Sequence, residues 1–131
     1  MYGMKEVCEK VGITYTTLKF YCNEGLIPNV KRDKNNRRIF DDRDVAWIQG
    51  LLCLKDCNFG IAEMKNYLQL CLEGESSIET RKKILSAKKS QLQKKIATLE
   101  GAIKYIDTKQ NFYDGVLSGK IKYQSNLILT D

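Results

Sequence analysis

Apolar residues recur at helical spacing in five stretches of this chain, each separated from the next by turn-forming residues. After a short extended lead-in at Tyr2-Gly3, Met4, Val7, Cys8 and Val11 repeat at i, i+3, i+4 and i+7, predicting a two-turn helix that ends at Gly12-Ile13. Thr14 to Pro28 predicts a second short helix. Thr14 is a good N-cap because its hydroxyl can accept from the first free backbone N–H groups; Gly25 suits a left-handed residue past the end, and Pro28 prevents resumption. Leu18, Tyr21 and Cys22 form its inward face. Thr16, Lys19, Phe20 and Asn23 fall outward, where hydroxyl, cation, ring and amide suit phosphates and base edges. Alone, the segment reads equally as an ordinary amphipathic surface helix. Two short helices meeting across a tight turn form the helix-turn-helix arrangement, which favours a recognition helix.

In residues 29 to 40, Asn35-Asn36 lies between a basic segment and a short extended run, predicting a hairpin. Five basic residues against one acidic residue, with Lys31, Arg32, Arg37 and Arg38 among them, suit a wing held against a phosphate backbone. Asp41 and Asp44 mark the start of a third helix, largely buried through Val45, Trp47, Ile48, Leu51, Leu52 and Leu54. Its remaining strip, Ala46, Gln49, Gly50, Cys53 and Cys57, is small or polar and would admit another helix closely. Ile61, Met64, Leu68, Cys71 and Leu72 predict a fourth helix ending at Gly74.

Ser76-Ser77-Ile78-Glu79 reads as a capping box opening the longest element. Ile78, Leu85, Leu92, Leu99, Ile106 and Tyr113 recur every seven residues, with Ile96 and Ile103 at the second seam position, a coiled-coil pattern. A helix from Ser77 to about Tyr113 would be on the order of 55 Å long, too long to bury its seam against so small a domain, so a second chain must cover it. Lys82 and Lys89 occupy seam-like positions near the start, placing the tight zipper from about Leu92 onward. Asp114-Gly115 should end this helix, and 116 to 131 reads as a loosely held tail. The expected organisation is a DNA-binding domain over 1–74, a dimerisation helix over 75–115 and a tail over 116–131.

Composition narrows the chemistry. At 131 residues, net charge +6 and pI near 9.0, the chain suits one modest core plus an extended element and an acidic partner such as nucleic acid. With no apolar run of eighteen residues and no apolar signal core, a soluble cytoplasmic protein without membrane contact is expected. The five cysteines, at 8, 22, 53, 57 and 71, lack finger-like spacing and read as reduced thiols; histidine is absent. Cys-His nucleophilic pairs, histidine acid–base catalysis and mixed Cys/His zinc sites are thereby removed. No enzyme, cofactor or metal site is expected.

Residues 2 to 65 resemble the N-terminal domain of MerR-type transcription regulators. The resemblance is carried by Thr14, Thr17-Leu18-Lys19-Phe20-Tyr21 and Gly25-Leu26-Ile27-Pro28. It implies a mainly α fold, a winged helix-turn-helix followed by a long antiparallel coiled-coil dimerisation helix. It also implies a homodimer that binds a pseudo-palindromic operator in double-stranded promoter DNA, then bends and untwists an overlong spacer so that RNA polymerase engages both promoter elements. DNA contacts are expected from Thr14, Tyr15, Thr16, Thr17, Lys19, Phe20, Tyr21 and Asn23, and from Lys31, Arg32, Arg37, Arg38 and Phe40 of the wing. The third and fourth helices would form a second wing, with Lys55 and Lys65 on phosphates. The family's wing usually reads Gly-aromatic-Arg-hydrophobic-Tyr and here reads Asn36-Arg37-Arg38-Ile39-Phe40. Thr16 likewise stands where arginine is common and Phe20 where tyrosine is. Docking mode survives these departures better than operator sequence.

The family's metal sensors carry cysteines in and beyond the long helix, and residues 76 to 131 contain none. Its multidrug sensors append a ligand domain larger than the segment after Gly115 can form. Trp47 to Cys53, with Glu73-Gly74-Glu75 and Thr80-Arg81-Lys82, resembles a branch that uses one thiol to respond to aldehydes, other electrophiles or nitrosative stress. Cys53 is therefore the candidate sensor: a thiolate favoured by nearby cations, on a strip where an adduct would push two helices apart. The competing view makes Cys53 an inert, half-buried residue. A different class of function, an architectural adaptor whose coiled coil recruits another protein, is compatible with the same elements and would lose its DNA binding at physiological salt.

Overall fold

The computed structural model of the protein describes residues 1–130. Its elements are β1 (Tyr2–Gly3), α1 (Met4–Val11), α2 (Tyr15–Asn23), β2 (Lys31–Arg32), β3 (Arg38–Phe40), α3 (Asp42–Asp56), α4 (Ile61–Glu73) and α5 (Ile78–Leu117), with a 3-10 turn at Gly74–Ser77 between the last two helices. Among the described residues no helix is long and apolar enough to cross a membrane. The chain divides into two compact units, Met1–Lys89 and Ser90–Asp131.

In the first unit, α1 ends at Gly12, left-handed at φ 72°, and Thr14 Oγ1 accepts from Thr17 N at 3.2 Å to start α2. Gly25, at φ 75°, turns the chain out of α2 as its sequence position suggested. The hairpin of β2 and β3 turns through Asn36, itself left-handed at φ 63°. Asp33 Oδ1 accepts from the backbone N of Asn35 at 2.8 Å and of Arg37 at 3.0 Å, so one carboxylate closes the turn. β1 pairs antiparallel with the other edge of β3, Tyr2 opposite Phe40, giving a three-stranded sheet in the order β1-β3-β2.

Helix α3 is the spine behind both halves. Its start is a reciprocal capping box: Asp44 N donates to Asp41 Oδ1 at 2.8 Å and Asp41 N to Asp44 Oδ2 at 3.0 Å. The Asp44 N–H holds the Asp41 carboxyl below its ordinary range, and the Asp41 N–H gives the buried Asp44 side chain a partner. Ile48 and Leu51 then join Val7, Leu18, Leu26, Phe40 and Met64 in the core, and Trp47 Nε1 donates to the Leu26 carbonyl at 2.7 Å.

The start of α5 departs from expectation. Ser77, not Ser76, makes the junction: its hydroxyl lies within hydrogen-bond distance of the carbonyls of Leu70 and Gly74 and accepts from Arg81 Nε at 3.0 Å. Arg81 Nη2 also donates to the Gly74 carbonyl at 2.7 Å. A serine facing the orphan carbonyls of α4 serves the preceding helix end, which is why the expected capping box is not used. Ile84 packs on the core as well, so these first turns are held by their own globular unit.

In the second unit, α5 runs through Asp114-Gly115 to Leu117, beyond the end expected from sequence. Glycine inside a helix costs only about 1 kcal/mol and does not stop it. The left-handed stop comes at Gly119, φ 82°, after which the backbone N of Lys120 and of Ile121 return to the Gly115 carbonyl. A Cβ at Gly115 would overlap the Ile121 side chain. The tail expected at 116 to 131 therefore begins as helix and turn; Asp131 lies outside the described residues.

Candidate nucleic-acid interface

Helix α2 carries the exposed side chains Tyr15, Thr16, Lys19, Phe20 and Asn23 on the face opposite the buried Leu18 and Tyr21. Thr14 is exposed but committed to the cap, and its hydroxyl meets that of the half-buried Thr17 at 2.9 Å. Lys31, Arg32 and Arg37 stand exposed on the hairpin. The hairpin and helix are joined directly: Arg38 Nη2 donates to Asn23 Oδ1 at 2.8 Å, and Arg32 Nη1 braces the turn through the Asn36 carbonyl at 2.9 Å. Between Tyr15, Arg32, Arg37 and the N-terminal residues lies an open cleft of about 750 Å³.

Two expected contacts are corrected by burial. Phe40 is 0% exposed, and Tyr21 is 3% exposed. The alternation of β3 sends Phe40 inward, beneath the sheet and against α3, and the helical period sends Tyr21 beside Leu18. Both support the surface from below, and a nucleic acid cannot reach Phe40 without opening the core. Burial also pushes the Tyr21 hydroxyl above its ordinary titration range.

On the other flank of α2, Thr16, Phe20, Lys55, Phe59, Gly60 and Met64 border a largely apolar groove of about 440 Å³. Lys55 is exposed at the end of α3. Lys65 is paired with Glu24 Oε2 at 2.8 Å, so its charge is partly spent on masking a carboxylate at the end of α2. Lys31 stands more loosely, 3.7 Å from Asp41.

The cysteines separate by environment. Cys53 is exposed on α3, on the same strip as the exposed Ala46, Gln49 and Gly50. Cys57 is half-buried against the core, correcting its place on that free strip. Cys8 and Cys22 are half-buried against the core too. Burial pushes both thiols upward; the fields of Arg38 and Arg32 partly oppose this at Cys22. Cys71 faces the Arg81 guanidinium at 3.7 Å. Among the described residues no cluster of potential metal ligands occurs.

On α5, Ile78, Leu85, Ile96, Leu99, Ile103, Ile106 and Tyr113 are exposed and Leu92 is half-buried. The sequence marked Tyr2 only as part of an extended lead-in and gave no sign of its contacts: its hydroxyl donates to Asp42 Oδ1 at 2.7 Å and its ring lies 4.4 Å beneath Lys10 Nζ. A two-residue strand is too short to leave a periodic signal.

A short helix presenting polar and cationic side chains, bonded to a basic hairpin and backed by a third helix, defines a winged helix-turn-helix DNA-binding protein. The chain belongs to the MerR HTH regulatory protein family, whose model matches residues 2–71. It is 33% identical over 112 residues to an uncharacterized HTH-type transcriptional regulator of Haemophilus influenzae, covering 86% of this chain and 83% of that one. It is 36% identical over 90 residues to the HTH-type transcriptional regulator AdhR of Bacillus subtilis, covering 69% and 64% respectively. Among solved structures it is similar to HiNmlR, a MerR family regulator lacking the sensor domain, bound to promoter DNA: TM-score 0.74, 32% identity, 89% of this chain and 93% of that chain covered. A putative MerR family regulator from Listeria monocytogenes gives a TM-score of 0.78 at 29% identity, covering 91% and 90%. The protein is a DNA-binding transcriptional regulator and not an enzyme.

Proposed function

We propose that this regulator works as a homodimer whose two heads read a pseudo-palindromic promoter element, each laying α2 into a major groove and its wing along the adjoining backbone. The Arg38–Asn23 bond carries this reading, because it ties the cationic hairpin to the helix that would face the bases. Lys19, Thr16, Phe20 and Tyr15 approach groove and phosphates, Lys31, Arg32 and Arg37 the backbone, and Lys55 the far flank, with Lys65 contributing after it has neutralised Glu24. As implied by kinship, the paired heads bend and untwist the spacer so that RNA polymerase engages both promoter elements. Lys19→Ala tests the placement. Operator affinity should fall by about 1 kcal/mol or more, with a shallower salt dependence; unchanged binding to a duplex selected from a random pool would remove Lys19 from the interface.

The exposed apolar seam of α5 from Ile96 to Tyr113 supports a coiled coil with a second copy. Charge supports the antiparallel direction. Residues 78 to 97 hold seven basic residues against one acidic, while 98 to 117 hold two basic against three acidic. Parallel pairing would stack Lys82 and Lys89 on their own copies, and antiparallel pairing sets the basic half against the neutral-to-acidic one.

Electrophile control through Cys53 is the regulatory part of the proposal, supported by its exposure on the small, polar strip of α3. A limiting maleimide should label Cys53 ahead of the half-buried thiols, read by peptide mass mapping. Cys53→Ser should abolish any aldehyde effect on the operator complex; normal induction of that variant would end the sensor role.

A further inference from the structure

Lys88, on α5, carries an ammonium that the interface described above does not use. Its side chain is only 11% exposed, with Nζ 2.6 Å from Glu63 Oε2. The same Nζ donates to the Asn58 carbonyl at 3.2 Å and lies 5.0 Å from the Phe59 ring centroid. All three partners belong to one short segment, the turn between α3 and α4 and the first turn of α4. Asn58 is left-handed at φ 68°, and Glu63 Oε1 accepts from Gly60 N at 3.1 Å, so the carboxylate that holds Lys88 also caps α4. The turn is tied in turn to the end of α3, Asn58 N donating to the Lys55 carbonyl at 2.9 Å and Phe59 N to that of Leu54 at 3.0 Å. An exposed lysine pair contributes little to stability, whereas a nearly buried ammonium is tolerated only where its charge and donors are matched. Carboxylate, carbonyl and ring face supply that match here. Reciprocally, Lys88 holds the Glu63 carboxyl below its ordinary range.

We propose that Lys88 is a positioning residue for DNA binding: by gripping Asn58, Phe59 and Glu63 at once, it fixes where the α3–α4 turn, and with it Lys55, stands beside α2. The observation behind this is shared geometry, since Phe59, Gly60 and Lys55 border the same groove as Thr16 and Phe20. The assignment rests on the DNA interface proposed above. It adds a residue on the long helix that never touches the duplex yet sets one of its contacts.

The test uses the full-length protein, a duplex selected from a random pool, titrations over a range of salt and a parallel urea unfolding curve. Lys88→Met keeps the aliphatic stem and removes the charge. Affinity should fall about tenfold, and the slope of log Kd against log salt should drop by about one, the signature of one lost phosphate contact. Lys88→Arg should recover most of both. Glu63→Gln should mimic Lys88→Met, and the double variant should be no worse than either. Unchanged affinity and slope in folded Lys88→Met, even with a lower unfolding midpoint, would reduce Lys88 to a structural role and overturn the proposal. Should that variant not fold, Glu63→Gln decides in the same way. Two further variants separate the levels: an unaltered slope in Lys19→Ala overturns the interface itself and one in Lys55→Ala removes that flank contact and the positioning role with it, whereas reduced slopes in both beside an unaffected Lys88→Met overturn only the positioning role.

Discussion

Replacing Phe40 with alanine is expected to lower the unfolding free energy by about 3 to 5 kcal/mol. That is a large share of the roughly 5–15 kcal/mol that holds a typical domain together. Phe40 is fully buried at the end of β3, opposite Tyr2 in the sheet and packed within the cluster that includes Leu18 and Ile48. Deleting its ring leaves a cavity where wing, recognition helix and spine meet, a place with no slack to collapse. The midpoint of urea unfolding should shift strongly, while the molecules that remain folded should bind DNA with little change. Unaltered stability combined with lost binding would return Phe40 to the DNA surface.

Replacing Leu99 with aspartate should have the other large effect. Leu99 is 63% exposed in the single chain and lies one heptad from Leu92 and Ile106 on the apolar face of α5. A carboxylate there would face the partner's apolar seam, where desolvation of an unpaired charge outweighs anything the neighbouring side chains return. Sedimentation should report monomers, and operator affinity should fall by about two to four orders of magnitude as two linked heads become independent ones. The globular unit does not depend on Leu99, so its unfolding should be nearly unchanged. A stable Leu99→Asp dimer would contradict the seam.

The helix-turn-helix was legible because its signals are local: a hydroxyl cap at Thr14, a left-handed glycine at Gly25 and Pro28 beyond it each act within a turn or two of chain. The basic hairpin was legible for the same reason, through Asn35-Asn36. Sequence and structure part for more than one reason. Ser77 was read as opening the next helix because a capping box looks only forward, yet its hydroxyl turns back to Leu70 and Gly74. The end of α5 was placed at Gly115 on propensity, but the stop needs a left-handed residue, which comes at Gly119. Tyr21 and Phe40 were assigned to DNA by kinship, while their own periodicities point them inward. The Arg38–Asn23 and Lys88–Glu63 pairs join residues on different elements, and no local pattern announces them.

The chain's first residues have a practical bearing. Tyr2 and Gly3 are paired to the inner strand of the wing, and Met1 stands with Tyr15 and Arg37 at the mouth of the same cleft. Any affinity handle or fluorescent fusion placed ahead of Met1 would emerge there, crowding the duplex and tugging at the hairpin. Kinetic comparisons between differently tagged preparations would then report on the tag.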